Sequence, residues 1–481
     1  MEPSVPGLLL LLALLALGRR LGGAILIGLF ISLPFGSTAL GTLGALGGSS
    51  PLVYVAFIGL LLASVVLRRG FAGRLAYVLS SHGTAAIVLA LIVCAVAGAV
   101  LFPRLFLGQI TVPVVAPDAI VNAPLAPTSA NITQAGYLVL AALTYFACAI
   151  LLIEKGQPDV LRRGFLAWAV VNASLGVTDL AGKLSGFGDL LWPIRTATYS
   201  YLVEVEEAGF WRIAGGFSEA SAFGAVTLAC LAFSFAYWRV SRSRPVLVLT
   251  LVLLCLLFLS TSSTAYAGLA IVMAFGAVSM GVSALRGRLS RQDALVLAFA
   301  WLALIVVLSA YLLDDRSLDP AAQLFEAVVL NKSASGSAQV RFHLNSMSLQ
   351  AFIDTYGLGI GLGSGRAASW LVAVVSQLGV AGALLMAALV GVLILDLALP
   401  RPQGLDRETF ALVSGARAAA LASLAAASVS SGFADPGPIF FVALAVVGAC
   451  RKGELAGSIR RRACADMPSA TVGARVVARP G

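Results

Sequence analysis

The chain has 481 residues, of which 59% are hydrophobic and 11% charged, and its formal net charge is +10. A soluble domain carries about 25% charged residues. So much apolar surface excludes a soluble multidomain enzyme, a disordered chain, a collagen and a disulfide scaffold, and the basic excess is no nucleic-acid signature until its placement is known.

A membrane-crossing helix needs about 20 apolar residues. In chain order the apolar runs are 7–18, 21–34, 51–67, 84–102, 135–153, 165–182, 221–238, 245–261, 264–284, 294–313, 379–399, 408–430 and 437–450. The expected fold is all-α: a polytopic integral membrane helical bundle of about 12–13 transmembrane helices over residues 1–450. The first two runs are short, and read either as a tight hairpin around Arg19-Arg20 or as one kinked span. No basic segment precedes the first run, so it is not read as a signal peptide.

The connections alternate in charge. One set holds Arg19-Arg20, Arg68-Arg69-Arg74, Lys155-Arg162-Arg163, Arg239-Arg242-Arg244, Arg286-Arg288-Arg291, Arg401-Arg407 and the tail from Arg451, together most of the 32 basic residues. The other set holds Arg104, Arg195, Arg212, Arg316, Lys332, Arg341 and Arg366. Basic connections mark the cytoplasmic face, so topology accounts for the charge and no nucleic-acid partner is implied. Residues 451–481, with Arg460-Arg461-Arg462, read as a disordered cytoplasmic tail attracted to the lipid bilayer. The opposite, non-cytoplasmic side carries the long polar loops, which are periplasmic if the membrane is a bacterial inner one: 103–134, 184–220 and, largest and late in the chain, 314–368. Loops of this length carry function or are disordered, and aromatic and glycine content argues for function.

Few ionisable residues fall inside spans. Asp179 and Lys183 are spaced i, i+4 and can pair on one helix face, and Asp396 and Arg417 lie on adjacent spans where they can meet. No C-x-x-C pair occurs among the six cysteines, and His82 and His343 are the only histidines, so a multi-histidine metal site is excluded.

Three stretches carry candidate chemistry. Arg212 to Ser221 sets a guanidinium and the Glu219 carboxylate around Gly215-Gly216, just before a span. Arginine grips phosphate oxygens in a bidentate fork, and a carboxylate facing a pocket can accept a hydroxyl proton. The plain alternative is an N-capped helix start with Ser218 and Glu219 as capping pair. Ser260 to Gly268 is a polar turn between two apolar runs, readable as a hairpin turn alone. The third stretch opens with Arg341 and His343, runs amphipathically to Asp354, and becomes a glycine ladder containing Gly361 and Gly363, closed by Arg366. Such a ladder offers backbone N–H groups to an anion, with Arg341 and Arg366 flanking it. His343 is a second candidate base, or an ordinary loop histidine.

The order of these stretches resembles the O-antigen ligase/polymerase superfamily of cell-envelope glycan enzymes. Gly216-Phe217-Ser218-Glu219-Ala220-Ser221 looks like the family's G-F-x-E-P-S, with Ala220 in place of proline. Thr261-Ser262-Ser263 with Gly268 looks like T-x-S-R-x-G without its arginine. Arg341, Tyr356 to Gly361, and Gln377 to Gly382 look like R…P-x-x-G-x-G…E-x-G-x-x-G, the most specific match. Ligases of this family place a His-Asn pair after the ladder, where this chain has Ala367-Ala368-Ser369-Trp370, which favours a polymerase. The resemblance implies a metal-independent, cofactor-free glycosyltransferase of the bacterial inner membrane. It would move glycan from undecaprenyl pyrophosphate to a sugar hydroxyl of another lipid-linked oligosaccharide unit on the periplasmic side. Glu219 and His343 are then the catalytic candidates, and Arg212, Arg341, Arg366, Gly361 and Gly363 the pyrophosphate- and glycan-binding ones. A chain-length regulator is the further partner implied. The rivals are a ligase acting on a lipid or protein acceptor and, in a different class, a lipid-linked oligosaccharide flippase.

Overall fold

The computed structural model describes residues 2–44, 48–115, 120–154, 156–197, 206–207, 210–285, 336–398 and 404–452. The expected span at 294–313, the tail beyond 452 and much of the loop at 314–368 lie outside the described residues.

The described chain is almost entirely helical. Helices α1 (Val5–Arg20) and α2 (Ala24–Ser32) form the tight hairpin at Arg19-Arg20, not one kinked span. Gly18 allows it, since a Cβ there would lie 2.5 Å from the Ala24 carbonyl oxygen. α3 (Val53–Val66) bends by 104° into the amphipathic α4 (Phe71–Ser81). α5 (Gly83–Leu105) leads to the longest hairpin among the described residues, β1 (Thr111–Val115) paired antiparallel with β2 (Ile120–Pro124). The expected loop at 103–134 is thus partly structured, and α6 (Ser129–Leu152) begins inside it on a Thr128/Asn131 capping box. α7 (Gln157–Ser185) starts after Gly156 (φ 81°) with Pro158 in its first turn and stops at Gly186 (φ 76°), the proline and glycine each where a helix tolerates them. α8 (Ala220–Ser241), α9 (Arg244–Leu259), α10 (Ser263–Leu285), α11 (Gly336–Asp354), α12 (Trp370–Leu395), α13 (Arg407–Ser430) and α14 (Pro438–Arg451) follow.

Six of these, α5, α6, α7, α8, α12 and α13, are long and apolar enough to cross a membrane, or seven if the bent α3–α4 pair is one span. α9 and α14 are apolar but shorter. The protein is a multi-pass, all-α membrane bundle. α14 is buried from Ile439 to Cys450, because a helix apolar on every side belongs at the centre. α13 packs along α8 through alanines and through Gly415, where a Cβ would lie 2.8 Å from the Phe233 ring. Small residues let helix backbones approach where lipid supplies no hydrophobic drive.

The two ends of the bundle differ. At the arginine-rich end, Arg68 and Arg74 both pair with Glu154, Arg162 with Glu408 at 3.4 Å, and Arg417 and Arg451 with Asp396 at 2.6 and 2.9 Å. Burial would push the Glu154 carboxyl up, but the two guanidinium groups hold it below its usual range. The opposite, loop-rich end gathers residues 34–39, the β1–β2 hairpin, the α7–α8 connection, the α9–α10 turn, residues 355–369 and the α13–α14 connection.

Candidate functional site at the loop-rich end

The start of α8 is set by a buried charge cluster. Asp179 accepts from the N–H groups of Ala214 and Gly215 at 2.7 and 3.1 Å and from Lys183 Nζ at 3.1 Å. Lys183 also donates to the Arg212 carbonyl at 2.6 Å, and Arg195 reaches Asp179, Asp189 and the Gly215 carbonyl. The i, i+4 pair read from sequence therefore forms, and it anchors a loop. Gly215 takes φ +53°, and Gly216 passes so close to Pro34 that a Cβ would lie 2.3 Å from its carbonyl oxygen. Ser37 donates through N–H and Oγ to the Gly216 carbonyl at 3.0 and 2.9 Å. The Gly-Gly pair thus serves one unusual torsion and one close approach.

Glu219 is the N-cap of α8 in extended conformation, but its side chain caps no backbone N–H. It accepts from the Ser221 hydroxyl instead. The carboxylate is therefore not spent on a backbone cap. Beside it the 260–264 turn presses on α8, where a Cβ on Gly224 would lie 3.2 Å from Ser262 Cβ. Thr261 (φ 45°) and Thr264 are buried, and the hydroxyls of both make no hydrogen bond.

The glycine ladder docks into a broken helix. Gly379 (φ 67°, ψ −172°) interrupts α12, which starts at Trp370, nine residues before the expected span, because the glycine is a break inside the helix and not its beginning. Ile360 and Gly361 donate to the freed carbonyls of Ser376 and Gln377 at 2.8 and 3.1 Å, and Val380 donates back to Gly357 at 2.9 Å. Side chains have no room here: a Cβ on Gly379 would lie 2.1 Å from the Leu358 oxygen. Gly361 (φ +85°) packs on the Gly98 carbonyl and Gly363 (φ +77°) on the Ala130 backbone. The two glycines, expected to cradle an anion, also have a packing role. The Gly361 N–H is engaged, and both residues seat the loop against α5 and α6.

That seating carries Arg366. Its N–H bonds the Pro113 carbonyl at 2.9 Å, and its guanidinium carbon stands 5.4 Å from the Phe433 ring centre. The guanidinium makes no hydrogen bond or ion pair with a described residue. Burial lowers its pKa, and the Glu219 carboxylate, within electrostatic reach, pulls it back up. Gln377 Nε2 ties the Gly365 and Gly432 carbonyls at 3.2 Å each, while Gln377 Oε1 is buried without a partner.

The structure therefore places Glu219 within electrostatic reach of Arg366. Arg341 shares its face of α11 with Asn345, which accepts from the Ala368 N–H at 2.8 Å, and Ser348, which donates to the Arg366 carbonyl at 3.4 Å. His343 stands on another face and lines a separate open cavity of about 350 Å³ with Ile120, Asn122, Gln339, Val340 and Leu344. Arg212 lends its carbonyl to the charge cluster. Asp435, in the α13–α14 connection, was missed by sequence reasoning. Burial pushes its carboxyl up to about 6, against the pull of the Gly437 N–H. Its neighbour Ala434 accepts from Trp370 Nε1 at 3.1 Å, which ties this connection to the start of α12. A carboxylate next to Gly and Pro in a short turn looks like turn chemistry, so its sequence gave no signal.

No protein-family model matches this chain. A comparison with curated proteins likewise finds no match. The functional reading therefore rests on the residues themselves: an unsaturated guanidinium, a carboxylate and partnerless hydroxyl and amide groups gathered at one end of the bundle. Such a set suits an anionic, hydroxyl-rich ligand.

Proposed function

We propose that this chain is a membrane glycosyltransferase that polymerises lipid-linked oligosaccharide units, with about 12–13 spans and its loop-rich end facing the periplasm from the inner membrane. The observation that carries the reading is that the Glu219 carboxylate lies within electrostatic reach of the buried Arg366 guanidinium, the two coming from separate motif-like stretches, at an end of the bundle that also holds buried, unsatisfied polar groups. In this reading Arg366, with Arg341 from the adjoining helix face, binds the pyrophosphate of the donor. Glu219 takes the proton of the acceptor hydroxyl as that oxygen bonds the anomeric carbon. The bond from anomeric carbon to pyrophosphate oxygen breaks, and the leaving group departs with the electron pair. Preorganised charge in a water-poor site is the main source of rate in such transfers. The polyprenyl tail would enter laterally between helices.

The test is a deletion strain whose lipid-linked and surface glycans are separated by size. The polymerase reading expects single repeat units on lipid, with polymer restored by wild type but not by Arg366→Lys or Glu219→Gln. The lysine keeps the charge and loses the bidentate fork, and a loss of about 10²-fold or more is expected. Full-length polymer held on lipid would indicate a ligase, and repeat units trapped inside the cell would indicate a flippase.

A further inference from the structure

At the arginine-rich end most described arginines have protein partners. Arg68 and Arg74 have Glu154, Arg162 has Glu408, Arg163 bonds the Leu21 carbonyl, Arg407 bonds that of Val240, and Arg417 and Arg451 share Asp396. Arg19, Arg20 and Arg69 are simply exposed. The α8–α9 turn is different. Arg242 is half-buried with its guanidinium carbon 5.3 Å from the Trp238 ring centre, and Arg239 stands 6.0 Å from that of Phe235. Arg242 and Arg244 make no hydrogen bond or ion pair from their side chains to a described residue. Arg242 also ends α8 in the left-handed region at φ 61°, with its N–H on the Trp238 carbonyl at 2.8 Å. Glycine is the residue that fits this position without strain. An arginine there holds its charge over the aromatic ring at the cost of backbone strain.

Below the turn, α9 continues the pattern. Arg244 heads a stripe of exposed apolar residues at helical spacing: Val248, Leu251, Cys255, Phe258 and Leu259. We propose that this turn is a binding site for the phosphate headgroup of an anionic phospholipid. Arg242 and Arg244 hold the phosphate, Trp238 lies at the level of the membrane interface, and an acyl chain runs down the α9 stripe. A guanidinium pair above an apolar stripe matches a lipid anion, since phosphate takes bidentate N–H donors while the stripe has no polar groups for a soluble ligand. The site is at the opposite end from Arg366 and does not depend on the reading proposed there.

The test uses the full-length protein purified in detergent and offered phosphatidylglycerol and phosphatidylcholine in equal amounts, with bound lipid counted by native mass spectrometry. Wild type should retain phosphatidylglycerol selectively. Arg242→Gly with Arg244→Gln should cut that retention by about thirty-fold. Arg242→Gly alone should leave the unfolding temperature equal or higher, because glycine relieves the left-handed strain, while lowering retention. Arg244→Gln, at an exposed position, should act without touching the fold. Equal retention by the variants, or equal binding of the zwitterionic lipid, would overturn the proposal. Displacement of the lipid by millimolar inorganic phosphate would overturn the lipid assignment and make the turn a free-phosphate site.

Discussion

The two ends of the bundle handle charge in opposite ways. At the arginine-rich end Glu154 and Asp396 each gather two arginines and Glu408 one, in partly exposed positions where water shares the work. At the loop-rich end Asp179, Lys183 and Arg195 are almost completely buried and pair with one another, with Asp189 and with backbone groups. At the same end, the Arg366 guanidinium has Glu219 within electrostatic reach and the Phe433 ring for support but no hydrogen bond to a described residue. The difference separates two uses of charge. Where pairing is complete and enclosed, it shapes a loop; where it is left open beside unsatisfied polar atoms, it is available to a ligand.

That contrast can be broken at its strongest point first. Asp179→Ala would remove a buried charge partner from Lys183 and Arg195 and orphan two N–H groups, and should cost about 3–5 kcal/mol, read as a large drop in unfolding temperature in detergent. Unchanged stability would mean the cluster is not what sets the start of α8. Gly379→Ala is next, at about 2 kcal/mol or more, because a Cβ meets the Leu358 oxygen in a left-handed backbone. The same melting assay, with limited proteolysis at the 357–366 loop, checks it.

Asp435→Asn should have the reverse sign. The folded carboxyl keeps its proton up to about pH 6, whereas the unfolded one loses it near pH 4. Wild-type stability should therefore fall as pH rises from about 4 through 6 and then level. The asparagine variant should lack that slope and be more stable at pH 8 by about 1 kcal/mol, allowing for partial solvent access. Parallel pH profiles for both proteins would remove Asp435 as a buried acid. The smallest effect belongs to Glu154→Gln, about 1 kcal/mol or less at neutral pH. With its carboxyl held low by Arg68 and Arg74, wild type should lose this contribution as pH falls through the carboxylate range, and the glutamine variant should not.

Most of the helices could be read from apolar runs, because lipid leaves the backbone no option but internal hydrogen bonding over about 20 residues. The i, i+4 spacing of Asp179 and Lys183 announced their pairing, since that spacing alone fixes adjacency on a helix. What a local pattern could not convey was which carbonyls and N–H groups a distant loop would reach. The glycines at 357–363 read as an anion cradle in sequence, whereas in three dimensions the loop that carries them is hydrogen-bonded into the Gly379 break. His343, the second candidate base, lines an open cavity on a different face of its helix from Arg341, because a two-residue step turns about 200° around a helix. Asp435 gave no sign at all, since its unusual proton affinity comes from burial. Composition and periodicity thus determined by themselves that this chain is a multi-pass helical bundle with segregated charge. Only the tertiary structure decided which polar groups are saturated and which remain open, because saturation depends on contacts between segments far apart in the chain.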